Sequence, residues 1–456
     1  MRILLVGSGS VTAQLAVSLQ QRGHSVVAQL PFIQEEILSG FDVDVALIIA
    51  PEARVDSTQA NAILTKGTPV VVIAAAGAPL VAWAEGVGAP AFTYPPSSAD
   101  IPDILSAVEQ TVQADDREQA QRYVRETLGG DWAARVQGVL ATRRIAITSP
   151  KGGVGKTTIA ANLAVLFGLT GLTVYAVDAD TNAGALYHHL KSYSTKGSLL
   201  AALHQFDQIR QQRHTGMANV PLGALILDKF VTVPGLPTVH LLPGVKSDQA
   251  GDAILNDEEL VAQAISALYD IGVHQGGVTI MDVGINPAIP LHRAAIANAD
   301  TVVILLKPEL PDADQVHVWL RNMVTTITQE LKTPDSGLEY LSQRVRLVFN
   351  QVVDNQHVED MITLLRNILK EQGVPVLPPI AARIPMVPPD TAAKAVNSPD
   401  PEKIFILDYV KNGTPELSPF VSSLLSLGTQ LIPVVAEGAE RIGLFKQRRK
   451  KRWRFW

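Results

Sequence analysis

The chain has 456 residues, 47% of them apolar and 18% charged, with 33 Gly, 29 Pro and no Cys. That length exceeds one ordinary domain and suggests two or three, and the composition is that of a folded globular protein. Zero cysteine excludes a disulfide scaffold, a thiolate metal site, a Cys-ligated iron–sulfur cluster and a Cys nucleophile. The formal net charge is −6, yet Lys446, Arg448, Arg449, Lys450, Lys451, Arg452 and Arg454 put seven cations near the C-terminus, and subtracting those seven from −6 leaves −13 for the rest. An acidic body with a basic end directs only the end toward an anionic partner. The start reads as a strand rather than a secretory signal, and no apolar run reaches the ~20 residues of a spanning helix, so a cytoplasmic protein is expected.

Residues 1–112 alternate apolar strands with helical stretches. Ile3–Val6, Ser25–Leu30, Val45–Ala50, Val70–Ala74 and Ala91–Tyr94 are short β-branched runs at βαβ spacing, which predicts a small parallel sheet. Residues 113–143 open with Asp115, Asp116, Arg117 and Glu118 and space Tyr123, Leu128 and Trp132 loosely as a helix, so a helical linker is expected. A second, larger βαβ series fills 144–437, with strands at Ile145–Thr148, Thr173–Val177, Val278–Met281, Val302–Leu306 and Leu347–Phe349. Residues 438–456 form a basic, aromatic tail. The expected fold class is α/β, with two doubly wound, mostly parallel-sheet domains.

The most informative segment is Ser149-Pro150-Lys151-Gly152-Gly153-Val154-Gly155-Lys156-Thr157-Thr158, which follows a strand and opens a helix. Glycines there let backbone N–H groups of Gly152, Gly153, Val154, Gly155, Lys156, Thr157 and Thr158 converge on phosphates, at a helix N-terminus that favours anions. Lys156 can reach the β- and γ-phosphates, and the Thr157 hydroxyl can ligate Mg²⁺. The strict phosphate-loop pattern wants Gly where Pro150 stands, and a Pro lacks an N–H. The resulting Lys-Gly-Gly-Val-Gly-Lys-Thr-Thr resembles the deviant Walker A loop of the ParA/MinD ATPases. The resemblance implies a SIMIBI-type P-loop NTPase that takes ATP and Mg²⁺ and forms a homodimer on ATP. It implies too that Lys151 crosses to the partner's nucleotide as an arginine finger does.

Two acidic motifs extend the likeness. The strand ending in Asp178-Ala179-Asp180 resembles the family's Asp-x-Asp motif, with Asp178 as its first acid and Asp180 in the water-orienting role. Asp282, after Val278–Met281, resembles a Walker B acid of the Mg²⁺ shell, although the proline that follows, Pro287, stands farther from the acid than in the family. Carboxylates at the C-terminal ends of parallel strands fall where an open α/β sheet binds ligands. Leu306-Lys307-Pro308-Glu309 looks like the family's strand-ending Pro-Glu turn. Asn350 and the segment from Ile384 through Pro385 to Pro388 are similar to its adenine-side elements.

In the first domain Gly7-Ser8-Gly9-Ser10-Val11-Thr12 lacks the third Gly of a dinucleotide fingerprint, and no acid ends the second strand near Gln29. A working response-regulator receiver needs carboxylates after the first and third strands, where Gly7-Ser8 and Ala50-Pro51 stand. The domain is most similar to the degenerate receiver-like module that precedes the ATPase in the CpaE/TadZ pilus-localisation proteins, which implies contact with an unknown protein partner.

In the tail, Ile442, Phe445, Trp453 and Trp456 project to one side of a helix, with Leu444 off it and Arg448, Arg449, Lys450, Lys451 and Arg452 between. Aromatics interleaved with cations suit an anionic membrane surface, each cation contributing about 1 kcal/mol. A resemblance to the amphipathic end of MinD proteins implies peripheral association with the inner face of the cell membrane. DNA phosphate contact, as in partition ATPases, and a merely solvated charge run are the alternatives. The expected function is an ATPase that positions a partner machine at the membrane, a pilus or secretion apparatus or a division site, with hydrolysis releasing the dimer. A DNA partition ATPase and a non-hydrolysing scaffold are the other readings.

Overall fold

The computed structural model describes residues 1–31, 43–50, 52, 55–56, 59–60, 63–64, 68–87, 89–97, 99–111, 144–181, 184–193, 197–213, 222–310, 313–331, 336–371 and 376–444. The chain divides into two compact units, Met1–Gln119 and Ala120–Trp456. The expected linker 113–143 and the tail from Phe445 through Trp456 lie outside the described residues.

The first unit contains β1 (Arg2–Val6), α1 (Ser10–Gln21), β2 (Ser25–Leu30), β3 (Val45–Ile49), β4 (Val70–Ala74), α2 (Pro79–Val87) and β5 (Ala91–Thr93). Its five strands are parallel, in the order β2-β1-β3-β4-β5. The inner strands β3 and β4 are buried throughout, so both faces are covered and the sequence there runs apolar without alternation. One expectation for this unit is corrected. The first-strand turn does hold a carboxylate, but it comes from Glu52, just beyond β3. Glu52 accepts from the backbone N–H groups of Gly9 at 3.1 Å, Val11 at 3.0 Å and Thr12 at 2.9 Å. The Thr12 hydroxyl donates to it at 2.6 Å and the Tyr94 hydroxyl at 3.2 Å. Burial raises the Glu52 carboxyl pKa, but the bonds from Thr12, Val11 and Tyr94 outweigh it and hold the group below its ordinary value. The N-terminus of α1 is thus capped by an acid of the same unit, whose oxygens are spent inside the fold.

The second unit runs through β6 (Arg144–Thr148), α3 (Lys156–Leu169), β7 (Val174–Ala179), α4 (Leu186–His189), α5 (Leu199–Arg213), β8 (Val231–Val233), β9 (Leu236–Leu242), α6 (Glu258–His274) and β10 (Val278–Val283). It continues with α7 (Pro290–Ala297), β11 (Thr301–Leu306), α8 (Ala313–Leu331), α9 (Ser336–Gln343), β12 (Val345–Val352), α10 (Asn355–Glu371) and β13 (Ile380–Pro385). Four helices close it: α11 (Pro389–Asn397), α12 (Phe405–Asn412), α13 (Ser418–Leu431) and α14 (Val434–Arg441). The eight-stranded sheet has the order β13-β12-β11-β6-β10-β7-β9-β8, with β8 alone antiparallel, against β9. This is the α/β, doubly wound, P-loop NTPase architecture expected. The hairpin β8–β9 turns at Gly235, φ 74°. Its signal, a Pro234-Gly235 pair between β-branched runs, is legible in the sequence but absent from the expected strands.

Helix α3 is the hub. From Ile159 to Leu169 every residue is buried, because small residues let neighbours approach. A side chain on Gly168 would meet Val239 at 2.4 Å, and one on Gly428 of α13 would meet Leu166 at 2.8 Å. The polar Asn162 is satisfied twice, donating to the Thr158 carbonyl at 2.8 Å and accepting from the Ile406 N–H at 3.1 Å, which ties α12 to α3.

The end of this unit corrects the sequence reading of the tail. Ile442 and Leu444 were expected on a free amphipathic segment beginning at 438. Instead α14 packs on α3, Leu444 is buried in the same core, and Ile442 is packed against it. The physical reason is a helix stop. Gly443 adopts φ 76°, its N–H bonds the Glu440 carbonyl at 3.1 Å, and the Leu444 N–H reaches back to Ala439 at 3.0 Å. That pattern folds the chain over the helix end and turns Leu444 inward.

Candidate functional site

Strand β6 lies between β11 and β10, while the chain passes from β6 to β7 on the far side of β10. That reversal opens a crevice at the carboxyl end of β6, and the loop 149–155 fills it. Gly153 has φ 73° and Gly155 φ 91°, conformations that a side chain would strain. At Gly155 space is forbidding too, since an added side chain would meet Nδ2 of Asn350 at 2.5 Å. Gly152 faces open space. The loop is braced from β12: Asn350 Nδ2 donates to the Val154 carbonyl at 2.8 Å and Gln351 Nε2 to the Gly153 carbonyl at 3.3 Å. Ser149 Oγ donates to the Lys151 carbonyl at 2.6 Å.

Lys156 is the first residue of α3 and is 8% exposed. Thr157 and Thr158 follow in the first turn, both partly exposed. Asp178 and Asp282 are register partners on the neighbouring strands β7 and β10, and both are 0% exposed. Asp178 accepts from the Leu186 N–H at 2.9 Å and the Asp180 N–H at 3.4 Å. Bare glycines make room for it, since a side chain on Gly244 would meet its carboxyl at 2.7 Å. Burial, then the adjacent Asp282, push its carboxyl pKa well above the ordinary value. Asp282 is pushed up to about 7 by burial, opposed by the Thr157 hydroxyl and the Lys156 ammonium. Both Asp282 oxygens are buried without a hydrogen bond of ordinary geometry among the described residues. Asp180, at the mouth beyond β7, is partly exposed.

Lys151 Nζ lies 3.5 Å from Glu309 on the turn after β11, with the lysine side chain 41% exposed. Asn350 is brought to the loop with its amide nitrogen engaged there. Pro385 ends β13, paired with Val352 of β12, so the two expected adenine-side residues stand on neighbouring strands. Phe445, Arg448, Arg449, Lys450, Lys451, Arg452, Trp453 and Trp456 lie outside the described residues.

Sequence reasoning missed several participants. Gln351 braces the loop from a left-handed backbone, φ 59°. Lys191, also left-handed at φ 54°, is buried, and its Nζ donates to the carbonyls of Ala395 at 2.9 Å and Val396 at 2.8 Å at the end of α11. His292 of α7 is buried between the Asp180 segment and the loop after β10.

Three solved structures are similar to the chain. A ParA family ATPase from Chlorobium tepidum TLS is 20% identical, covering 62% of this chain and 98% of its own, with a TM-score of 0.43. The MinC:MinD cell division complex of Aquifex aeolicus is 19% identical, covering 64% and 96%, also at 0.43. The septum site-determining protein MinD of Pyrococcus horikoshii OT3, complexed with Mg-ADP, is 18% identical, covering 66% and 99%, at 0.43. No curated protein sequence matches the chain. The model of the CobQ/CobB/MinD/ParA nucleotide binding domain matches residues 145–387, more than half of the length, and the chain belongs to that family.

Proposed function

We propose that the second unit is a Mg²⁺-dependent ATPase of the ParA/MinD type that dimerises on ATP and positions a partner machine at a membrane. The observation that carries this reading is the convergence of Lys156, Thr157, Asp178, Asp180 and Asp282 at the carboxyl ends of β6, β7 and β10, around a loop whose glycines are held in left-handed turns. Two fully buried carboxylates side by side, one of them without a hydrogen bond of ordinary geometry among the described residues, call for a cation. The oxygen donors of Thr157 and Asp282 fit Mg²⁺, which when bound neutralises charge on the phosphate oxygens.

The chain's own groups then divide the work. Backbone N–H groups of 152–158 and the start of α3 hold the phosphates, and Lys156 offsets their charge from a dry position. Asp180, at the mouth, orients water. Lys151, paired with Glu309 here, exchanges that partner for the nucleotide of a second copy. The Asn350 oxygen and the Pro385 segment flank the base. Segment 445–456, with cations between aromatics, meets anionic lipid, and the first unit, resembling the receiver-like module of the CpaE/TadZ proteins, contacts a protein partner.

The experiment is light scattering of the full chain with ATP and Mg²⁺, beside phosphate release. A dimer that needs both ligands, with turnover lost in Lys151→Ala, supports the reading. A monomer in saturating ATP-Mg²⁺ overturns it. Pelleting with anionic vesicles and with DNA, before and after deletion of 445–456, assigns the tail. Loss of DNA binding alone would replace the membrane role with a partition role.

A further inference from the structure

The loop following β10 is held in an unusual way. Three consecutive carbonyls, those of Gly284, Ile285 and Asn286, each accept a hydrogen bond from a side chain of a different element. Thr148 Oγ1, the last residue of β6, donates to Gly284 at 3.0 Å, and Trp319 Nε1 of α8 donates to Ile285 at 2.9 Å. His292 Nδ1 of α7 bonds the Asn286 carbonyl at 2.9 Å. A carbonyl only accepts, so Nδ1 carries the proton toward Asn286, and the ring bonds the Ala179 backbone as well. Nε2 faces the Thr181 hydroxyl at 3.4 Å, immediately after Asp180. The ring is 0% exposed and fits only against a residue without a side chain: a Cβ on Gly284 would meet it at 2.2 Å. Burial, with the Lys156 ammonium, lowers the His292 pKa against the Asn286 and Ala179 backbone bonds and the Asp180 carboxylate.

We propose that His292 is a positioning residue that ties the Thr181 end of the Asp180 segment to the loop following Asp282, so that the two acidic walls of the pocket move as one body. This rests on the reading of the pocket as an ATPase site, and it adds a residue and a linkage to that reading. No proline stands close behind Asp282, since Val283-Gly284-Ile285-Asn286 lies between it and Pro287. The side-chain clamp supplies rigidity that the backbone lacks, since Gly284 restricts φ and ψ least of any residue. Water orientation by Asp180 depends on placement to a fraction of an ångström, so loosening the link acts on turnover rather than on ATP affinity, which the loop 152–158 sets.

Two variants test this in the full chain. His292→Ala removes every bond of the ring, to Asn286, Thr181 and the Ala179 backbone, and Thr181→Val removes only the hydroxyl that faces Nε2, leaving the buried ring in place. In the nucleotide-free protein, amide hydrogen exchange followed by mass spectrometry should rise in both segments, 177–181 and 283–289, for either variant. The far segment, 283–289, is the decisive one for Thr181→Val. With ATP and Mg²⁺, kcat should fall by about 10-fold or more while the ATP dissociation constant stays within about 3-fold. Exchange that rises only in the segment bearing the substitution, or affinity and kcat falling together, overturns the proposal. A wild-type chain that binds no ATP would sink the ATPase reading instead, and the exchange experiment would still decide whether the two walls are linked.

Discussion

Asp178 and Asp282 face each other as register partners on adjacent parallel strands, both fully buried, and Asp282 has no hydrogen bond of ordinary geometry among the described residues. Burial and a neighbouring carboxyl both disfavour charge on either acid, and the nucleotide-free fold carries that cost. Replacing Asp282 with Asn keeps the shape and removes one charge. The expected result is a nucleotide-free protein stabilised by about 1 kcal/mol, a rise of about 2–4 °C in Tm. Mg²⁺-dependent ATP binding should weaken by about tenfold or more. Differential scanning calorimetry and a fluorescent-nucleotide titration check the two halves, and a fall in Tm would contradict the argument.

The glycines of the loop separate folding from binding. At Gly155 both backbone and space forbid a side chain, with φ 91° and Asn350 Nδ2 at 2.5 Å from a built Cβ. Gly155→Ala is expected to lower stability by about 1–2 kcal/mol and to abolish ATP binding. Gly152 faces open space, so Gly152→Ala should leave the urea midpoint unchanged. Its methyl group would stand where phosphate must approach the backbone, and ATP affinity should drop by about tenfold or more.

The pair between Lys151 and Glu309 spans 3.5 Å with both side chains about half exposed, 41% and 50%. Such a pair contributes about 0–1 kcal/mol. Lys151→Ala should therefore shift Tm by less than about 2 °C and leave ATP binding by the isolated chain within about threefold. ATP-dependent dimerisation and turnover should be lost. Analytical ultracentrifugation with and without ATP-Mg²⁺ makes the comparison, and a variant that turns over normally would remove Lys151 from the site.

The β-branched runs and the Gly-Lys-Thr loop made most of both sheets and the phosphate pocket legible in the sequence, because these features depend on local spacing. Asp178 and Asp282 were legible for the same reason, as acids ending apolar runs. What escaped was set by contacts distant in sequence. Glu52 reaches the α1 N-terminus from about forty residues away, as its bonds to Gly9, Val11 and Thr12 show. His292 sits in a helix where a histidine has no periodic signature, and its role follows from Gly284 lacking a side chain. Ile442 and Leu444 looked like tail residues because a helical projection continued them past Gly443, where the left-handed turn ends the helix.

His240 of β9 gives the second unit a pH dependence. It stacks on Tyr175 with ring centroids 5.2 Å apart, and burial lowers its pKa from 6.5 to about 4. The unfolded chain therefore binds the proton first. Stability from this group is complete above about pH 6.5 and is lost progressively as pH falls toward 4, by about 1.4 kcal/mol per pH unit. Urea midpoints at pH 7 and pH 5 should differ less in His240→Asn than in the wild type. An equal difference in both proteins would mean that His240 is accessible to protons in the folded state.

The packing of α14 decides how the tail can be tested. Leu444 is 9% exposed in the core around α3, and a side chain on Gly438 of α14 would meet Thr170 at 2.6 Å. These contacts make α14 part of the nucleotide-binding unit, so a truncation at 437 removes structure as well as tail. Loss of one buried leucine costs about 2–5 kcal/mol. Ending the chain at 437 should therefore lower Tm by several degrees and weaken ATP binding through α3. Ending it at Leu444 removes the segment with Phe445, Trp453, Trp456 and the seven cations. That shorter deletion should leave Tm and monomer ATP binding unchanged and abolish pelleting with anionic vesicles. If the chain ending at 444 unfolds like the chain ending at 437, residues 445–456 belong to the fold and not to a membrane surface.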